Sequence, residues 1–111
     1  MNANQVISAL AALAQEHRLA VFRLLVEAGE GGIAAGMIAE RIGVPNSSLS
    51  FHLTQLSEAG LIAQRREGRS LIYSANYEAM NALMTYLTDN CCGGEDCAAP
   101  LSTTTCEAGD A

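Results

Sequence analysis

The hydrophobic residues of this chain recur with a helical period as far as Gly60 and with a strand period after it. Before Gly60, two amphipathic segments flank the turn Gly43-Val44-Pro45, and two helices joined by a tight glycine-containing turn are typical of a helix-turn-helix. After Gly60, segments 61–66 and 70–74 resemble short strands, and Glu67-Gly68-Arg69 predicts a hairpin turn between them. This order predicts a winged helix-turn-helix fold, mainly α with a small β-hairpin.

The remaining apolar residues predict further helices around this motif. Val6, Ile7 and Leu10 recur at helical spacing, and segment 16–28 is apolar on nearly every side, which is typical of a helix central to a core or an interface. The two helices of the motif are predicted at about 35–42 and 46–59, with Asn46 or Ser47 as the N-cap of the second. A last helix, beginning near Tyr77, is expected to bury its apolar residues Tyr77, Met80, Leu83, Met84 and Leu87.

The chain divides into a predicted winged domain, residues 1–90, and a tail, residues 91–111. The tail is small, polar and acidic, and we expect it to be mobile without a ligand. A domain of this size is marginally stable alone, so we expect a homodimer whose surfaces are the amphipathic first and last helices. No apolar run approaches the roughly 20 residues of a membrane span, and no secretory signal pattern is visible, which favours a cytoplasmic protein without a membrane partner.

The net charge of −6 at first argues against a nucleic-acid partner, but its distribution does not. Residues 1–90 hold six arginines and eight acidic residues, a net charge of −2, and the tail holds only acidic ones. Three arginines surround the predicted hairpin turn, and the polar face of the second motif helix carries hydroxyl, imidazole and amide groups that can bind base edges. The predicted contacts to double-stranded operator DNA are Ser47, Ser48, Ser50, His52, Gln55, Arg65, Arg66 and Arg69.

Three segments resemble the ArsR/SmtB family of metalloregulatory repressors. Residues 13–25 (LAQEHRLAVFRLL) are similar to that family's second helix, residues 50–62 (SFHLTQLSEAGLI) to its recognition helix, and residues 68–73 (GRSLIY) to its wing. The resemblance covers about residues 5–90. It implies a homodimer that represses an operon until a metal or metalloid ion binds.

Two sensing sites familiar in that family are missing from this chain. Residues 32–38 (GIAAGMI) stand where the best-known arsenic sensors have a Cys-Val-Cys sequence. Residues 77–90 contain Glu78 and Asp89 but no histidine for a zinc site on the last helix. Neither site can be transferred to this chain, so its sensor must lie elsewhere.

All four cysteines lie in the tail, at positions 91, 92, 97 and 106. In a reducing cytoplasm such thiols are more often ligands than disulfides, and soft thiolates select soft ions. Some members of the resembled family bind arsenite through C-terminal cysteines. We expect Cys91, Cys92 and Cys97 to bind trivalent arsenic, As(III), as inducer, with Cys106 a weaker candidate.

Alternatives for the cysteines remain open. Antimonite offers the same three-sulfur chemistry, and an organoarsenical needs two sulfurs. Cadmium, lead or zinc could take four sulfurs by adding Cys106, and a redox switch could pair Cys92 with Cys97. An enzyme such as an arsenate reductase is not expected, because the sequence shows neither a phosphate-cradling loop nor a positioned base.

Overall fold

The computed structural model describes residues 1–89, so the predicted tail and its four cysteines lie outside the described residues. The described part contains five helices and one small antiparallel sheet. In chain order the elements are α1 (Ala3–Leu13), α2 (Glu16–Ala28), β1 (Ile33–Ala34), α3 (Ala35–Ile42), α4 (Asn46–Glu58), β2 (Ile62–Glu67), β3 (Ser70–Ala75) and α5 (Tyr77–Thr88). This order confirms the predicted winged helix-turn-helix: α3 and α4 form the motif and β2 and β3 form the wing.

The wing is part of a three-stranded sheet in the order β1-β3-β2. β2 and β3 pair along their whole length, with Gln64 opposite Tyr73 and Glu67 opposite Ser70. β1, which the sequence did not predict, adds two residues to the other edge of β3 and places Ile33 opposite Tyr73. A strand of two residues is too short to show an alternating pattern, and only its pairing identifies it.

Gly32 allows β1 to approach β3 this closely. Its φ is +75°, and a Cβ at this position would lie 2.5 Å from the carbonyl oxygen of Tyr73 and 2.8 Å from Cγ2 of Ile72. Only glycine meets both conditions, because it has no Cβ and adopts positive φ without cost.

The core lies between the helices and one face of the sheet. Its largest fully buried side chains come from every helix but the first and last and from the segment after α4: Val21, Leu25, Ile38, Leu49, Leu56 and Leu61. α1 adds the buried Val6, Ala9 and Ala12, and α5 adds Leu83. The Tyr77 hydroxyl donates a hydrogen bond of 2.9 Å to the carbonyl oxygen of Val26, which fixes the start of α5 against the end of α2.

Two local predictions are wrong. The N-cap of α4 is Pro45, and no side chain caps the helix, because Asn46 already occupies its first turn. Met84 and Leu87, predicted to be buried, are 46% and 55% exposed in the single chain because α5 turns only Leu83 fully into the core.

Candidate nucleic-acid interface

The recognition helix α4 presents a sharply defined outward face. Its buried residues are Leu49, Leu53 and Leu56. An α-helix advances about 100° per residue, so Phe51 points almost directly away from the mean direction of these three leucines. The residues within about 60° of Phe51 on this face are Ser47, Ser48, Thr54 and Gln55, with Glu58 at the C-terminal end. The outward face therefore carries one aromatic ring among small polar groups.

The beginning of α4 leaves its backbone free for a ligand. No side chain caps the helix, and the first intrahelical bond runs from the amide of Leu49 to the carbonyl oxygen of Pro45. The amides before Leu49 have no acceptor one turn earlier in the helix. Phosphate oxygens are well suited to such amides, because the helix dipole also favours negative charge there. Ser47 and Ser48 lie in this same first turn and are exposed, as their predicted role requires.

His52 lies on one flank of α4 and faces α2 rather than solvent. It is half-buried, its Nδ1 lies 3.4 Å from Nη1 of Arg18, and its ring centroid lies 5.5 Å from that of His17. Desolvation lowers the pKa of His52, and the positive charge of Arg18 and the neighbouring His17 lower it further. A neutral imidazole suits this site, since its unprotonated Nδ1 can accept a hydrogen bond from the guanidinium. Ser50 lies on the opposite flank and is exposed.

Arg18 links three helices and was not among the predicted site residues. Its Nε donates a hydrogen bond of 2.6 Å to the carbonyl oxygen of Ala12 near the end of α1, while its Nη1 reaches His52 on α4. Arg18 itself lies in the first turn of α2, whose N-cap is Gln15. No sequence pattern could show this contact, because 34 positions separate Arg18 from His52.

The three arginines of the wing have different surroundings. The Nε of Arg65 forms an ion pair of 2.8 Å with Glu67, and its Nη2 donates to the carbonyl oxygen of Gly31 at 2.8 Å. Arg66 and Arg69 are exposed, and neither takes part in an ion pair within residues 1–89. Since Glu67 neutralises Arg65, the net positive charge of the wing lies at Arg66 and Arg69.

Residues 1–89 show neither a metal-binding cluster nor a membrane-spanning helix. Among residues 1–89 no group of three or more histidine, cysteine, aspartate or glutamate side chains is arranged to hold a metal ion. No helix in the same range has the length and apolar character needed to cross a membrane.

Comparison with known proteins identifies relatives of this architecture. A helix-turn-helix domain model matches residues 13–65. The HTH-type transcriptional regulator YgaV of Escherichia coli is 31% identical over 91 residues, which cover 82% of this chain and 90% of YgaV.

Two solved structures have the same fold. An ArsR-like transcriptional regulator from Rhodococcus sp. RHA1 matches with a TM-score of 0.69 and 27% identity, over 76% of each chain. The homodimeric winged helix-turn-helix DNA-binding domain of Mb0332 from Mycobacterium bovis, described as a possible ArsR-family regulator, matches with a TM-score of 0.63 and 31% identity, over 78% of this chain and 81% of that one. The wing, the outward face of α4 and these relatives lead to one conclusion: the chain belongs to the ArsR family of winged helix-turn-helix, DNA-binding transcriptional regulators.

Proposed function

We propose that this protein is a cytoplasmic homodimeric repressor that leaves its operator when trivalent arsenic binds Cys91, Cys92 and Cys97. One observation carries the proposal. The sequence has four cysteines, all of them beyond residue 90, directly after a DNA-binding domain. A metal-responsive regulator needs a metal-binding element, and residues 1–89 offer no cluster of metal-binding side chains. The thiols are therefore the strongest candidates for that element.

The donor chemistry of the tail favours arsenic. Three thiolates match the trigonal-pyramidal preference of As(III), and soft sulfur ligands select soft ions over hard ones. Cys91 and Cys92 are adjacent, and Gly93 and Gly94 separate them from the acidic residues before Cys97. Glycines allow a wide range of backbone conformations, which supports the proposal that three sulfurs reach one ion.

Exposed apolar side chains on α1 and α5 support the homodimer. Ile7 of α1 is 63% exposed and Leu87 of α5 is 55% exposed, and Leu10 and Met84 add to the same two helices. α1 packs against α5, so these side chains lie on neighbouring helices. Exposed apolar side chains on two neighbouring helices are typical of a protein interface. The homodimeric state stated for the Mycobacterium bovis relative supports the same assembly here.

Contacts between neighbouring elements connect α5, the helix that precedes the tail in sequence, with the DNA-reading helix. α5 ends at Thr88, three positions before Cys91, and it packs against α1. The carbonyl oxygen of Ala12 in α1 accepts from Arg18, which also reaches His52 of α4. Arsenic can weaken operator binding only if it binds the released dimer more tightly than the DNA-bound dimer, and the loss of binding free energy equals that difference. We propose that a shift of α5 at the dimer surface changes the positions of the two α4 helices.

The test is a DNA-binding titration of the full, reduced chain on a duplex from its own upstream promoter region. Fluorescence anisotropy is followed while arsenite, or separately phenylarsine oxide, is added. We expect binding in the absence of arsenic and release at about one arsenic per protomer. Failure to bind this DNA in the absence of arsenic, or tighter binding on addition of arsenite, would contradict the repressor proposal.

Serine variants locate the ligands. We expect Cys97→Ser to abolish the arsenite response and retain the phenylarsine oxide response, which needs only two sulfurs. Cys106→Ser is the matched control and should respond like the wild type to both compounds. A Cys97→Ser protein with an unchanged arsenite response would eliminate Cys97 as a ligand. Release by cadmium, zinc or a thiol oxidant at lower concentrations than arsenite would assign the cysteines to another inducer.

A further inference from the structure

Phe51 is an exposed apolar residue on the DNA-reading helix α4. It lies at the centre of the outward face, and its side chain is 57% exposed. Its neighbours on that face are Ser47, Ser48, Thr54 and Gln55. Within the described residues, its aromatic contact is a T-shaped one with His52, at a centroid distance of 5.8 Å. This contact leaves most of the ring uncovered in the single chain.

Duplex DNA offers one kind of apolar group that an exposed phenyl ring can contact in the major groove. The major groove presents donors and acceptors on every base pair, but its apolar group is the C5 methyl of thymine. The serines of the first turn can bind phosphate or base edges, while a phenyl ring has no hydrogen bond to offer either. We propose that Phe51 is a specificity-determining residue that packs against a thymine methyl in each operator half-site.

This inference rests on the DNA-binding function of α4 and adds the base that one residue recognises. The DNA face is favoured over a protein partner for two reasons. Phe51 lies opposite the buried leucines of α4, on the helix that a helix-turn-helix inserts into the major groove. The exposed apolar residues of α1 and α5, such as Ile7 and Leu87, already provide a surface for a second copy.

The experiment removes one methyl group from the DNA and one ring from the protein. Duplexes that bind the full, reduced chain are first selected from a random library. Each thymine of the selected half-site is then replaced by deoxyuridine, in both half-sites together, which retains base pairing and the O4 acceptor and deletes only the methyl. Dissociation constants are measured by fluorescence anisotropy for the wild type, Phe51→Ala and Met37→Ala.

We expect one thymine position at which uracil weakens wild-type binding about fourfold per half-site, the factor that corresponds to burial of one methyl group. Over two half-sites the loss is about 15-fold. Phe51→Ala should bind the thymine and uracil duplexes equally at that position. Met37→Ala removes another exposed apolar side chain, from α3, and should retain the wild-type ratio.

Three results would overturn the inference without affecting the DNA-binding function. In the first, uracil weakens DNA binding by the wild type at no position; in the second, Phe51→Ala keeps the full ratio of dissociation constants between uracil and thymine duplexes. In the third, Phe51→Ala changes the mass of the free protein in solution. The last result would assign Phe51 to self-association. If no duplex is selected at all, the DNA-binding function itself fails, and this inference fails with it. Circular dichroism melting of Phe51→Ala excludes misfolding, since an exposed ring contributes little to the core.

Discussion

Replacing Gly32 by alanine is expected to lower the free energy of unfolding by about 3 kcal/mol. The φ of +75° at Gly32 costs an alanine roughly 1 kcal/mol. The new Cβ would also lie 2.5 Å from the carbonyl oxygen of Tyr73. That atom belongs to the backbone of β3, so it cannot turn aside as a flexible side chain would, and overpacking of this kind costs about 2 kcal/mol more.

Two other glycines of the chain provide controls for this estimate. Gly43 ends α3 with a φ of +81°, and a Cβ there would meet nothing within 4 Å, so Gly43→Ala should show the backbone strain alone, about 1 kcal/mol. Gly36 lies within α3, where a Cβ would also meet nothing within 4 Å. Gly36→Ala should therefore stabilise the protein by at most about 0.5 kcal/mol, because alanine favours the helix but Gly36 lies in its first turn rather than in its interior.

Urea unfolding followed by circular dichroism measures all three variants. Protein concentration must be held constant, because the apparent stability of a dimer depends on it. The reasoning is refuted if Gly32→Ala costs no more than Gly43→Ala, since the clash with β3 would then be absent. Because Arg65 donates to the carbonyl oxygen of Gly31, Gly32→Ala should also weaken DNA binding through a displaced wing.

Three further predictions concern DNA binding, assembly and pH. Arg66→Ala and Arg69→Ala should each reduce the magnitude of the slope of log K for DNA binding against log salt concentration by about 0.9 for every phosphate that the arginine neutralises. An unchanged slope would show that the arginine contacts no phosphate. Leu87→Arg should convert the proposed homodimer to a folded monomer in analytical ultracentrifugation, and an unchanged mass would remove α5 from the proposed interface. Because the pKa of His52 is lowered by burial and by Arg18, the unfolded state takes up its proton first as pH falls below about 6.5. The stability contributed by neutral His52 should therefore be present above that pH and be lost in acid. His52→Gln should reduce this pH dependence in urea unfolding, and an identical profile would contradict the assignment.

The helices and the wing were predictable because their signals are local. Segment 16–28 shows its apolar character, and Gly68 shows the hairpin turn, within a few residues of sequence. β1 was not predictable, since its two residues become a strand only through pairing with β3. The exposure of Leu87 was missed for a related reason: a helical apolar stripe shows that a face will be covered, but not whether the cover comes from the same chain.

The candidate interface was predictable in its elements and less so in its individual residues. Ser47 and Ser48 lie on the outward face as expected, but His52 turns toward Arg18, which lies 34 positions away in sequence. Phe51 was missed because an apolar residue in a helix is usually assigned to the core. The helical spacing contained this information, since Phe51 lies almost opposite Leu49, Leu53 and Leu56 on the helix. Counting about 100° per residue from these three leucines would have identified Phe51 as an outward-facing residue.

The sparse charge of the interface has a consequence for regulation. α4 contains no lysine or arginine, and the unpaired cations of the wing are Arg66 and Arg69 within the described residues. In the proposed homodimer each protomer therefore offers few charged groups to phosphates, and tight binding would require both half-sites at once, where the second contact benefits from a high effective concentration. In that dimer, a small change in the distance between the two α4 helices would prevent simultaneous binding of both half-sites without altering the structure of either helix. Under the proposed mechanism, arsenic bound by the cysteines that follow α5 in sequence would need only to shift the geometry of the proposed dimer, and it would release DNA without contacting the recognition helix.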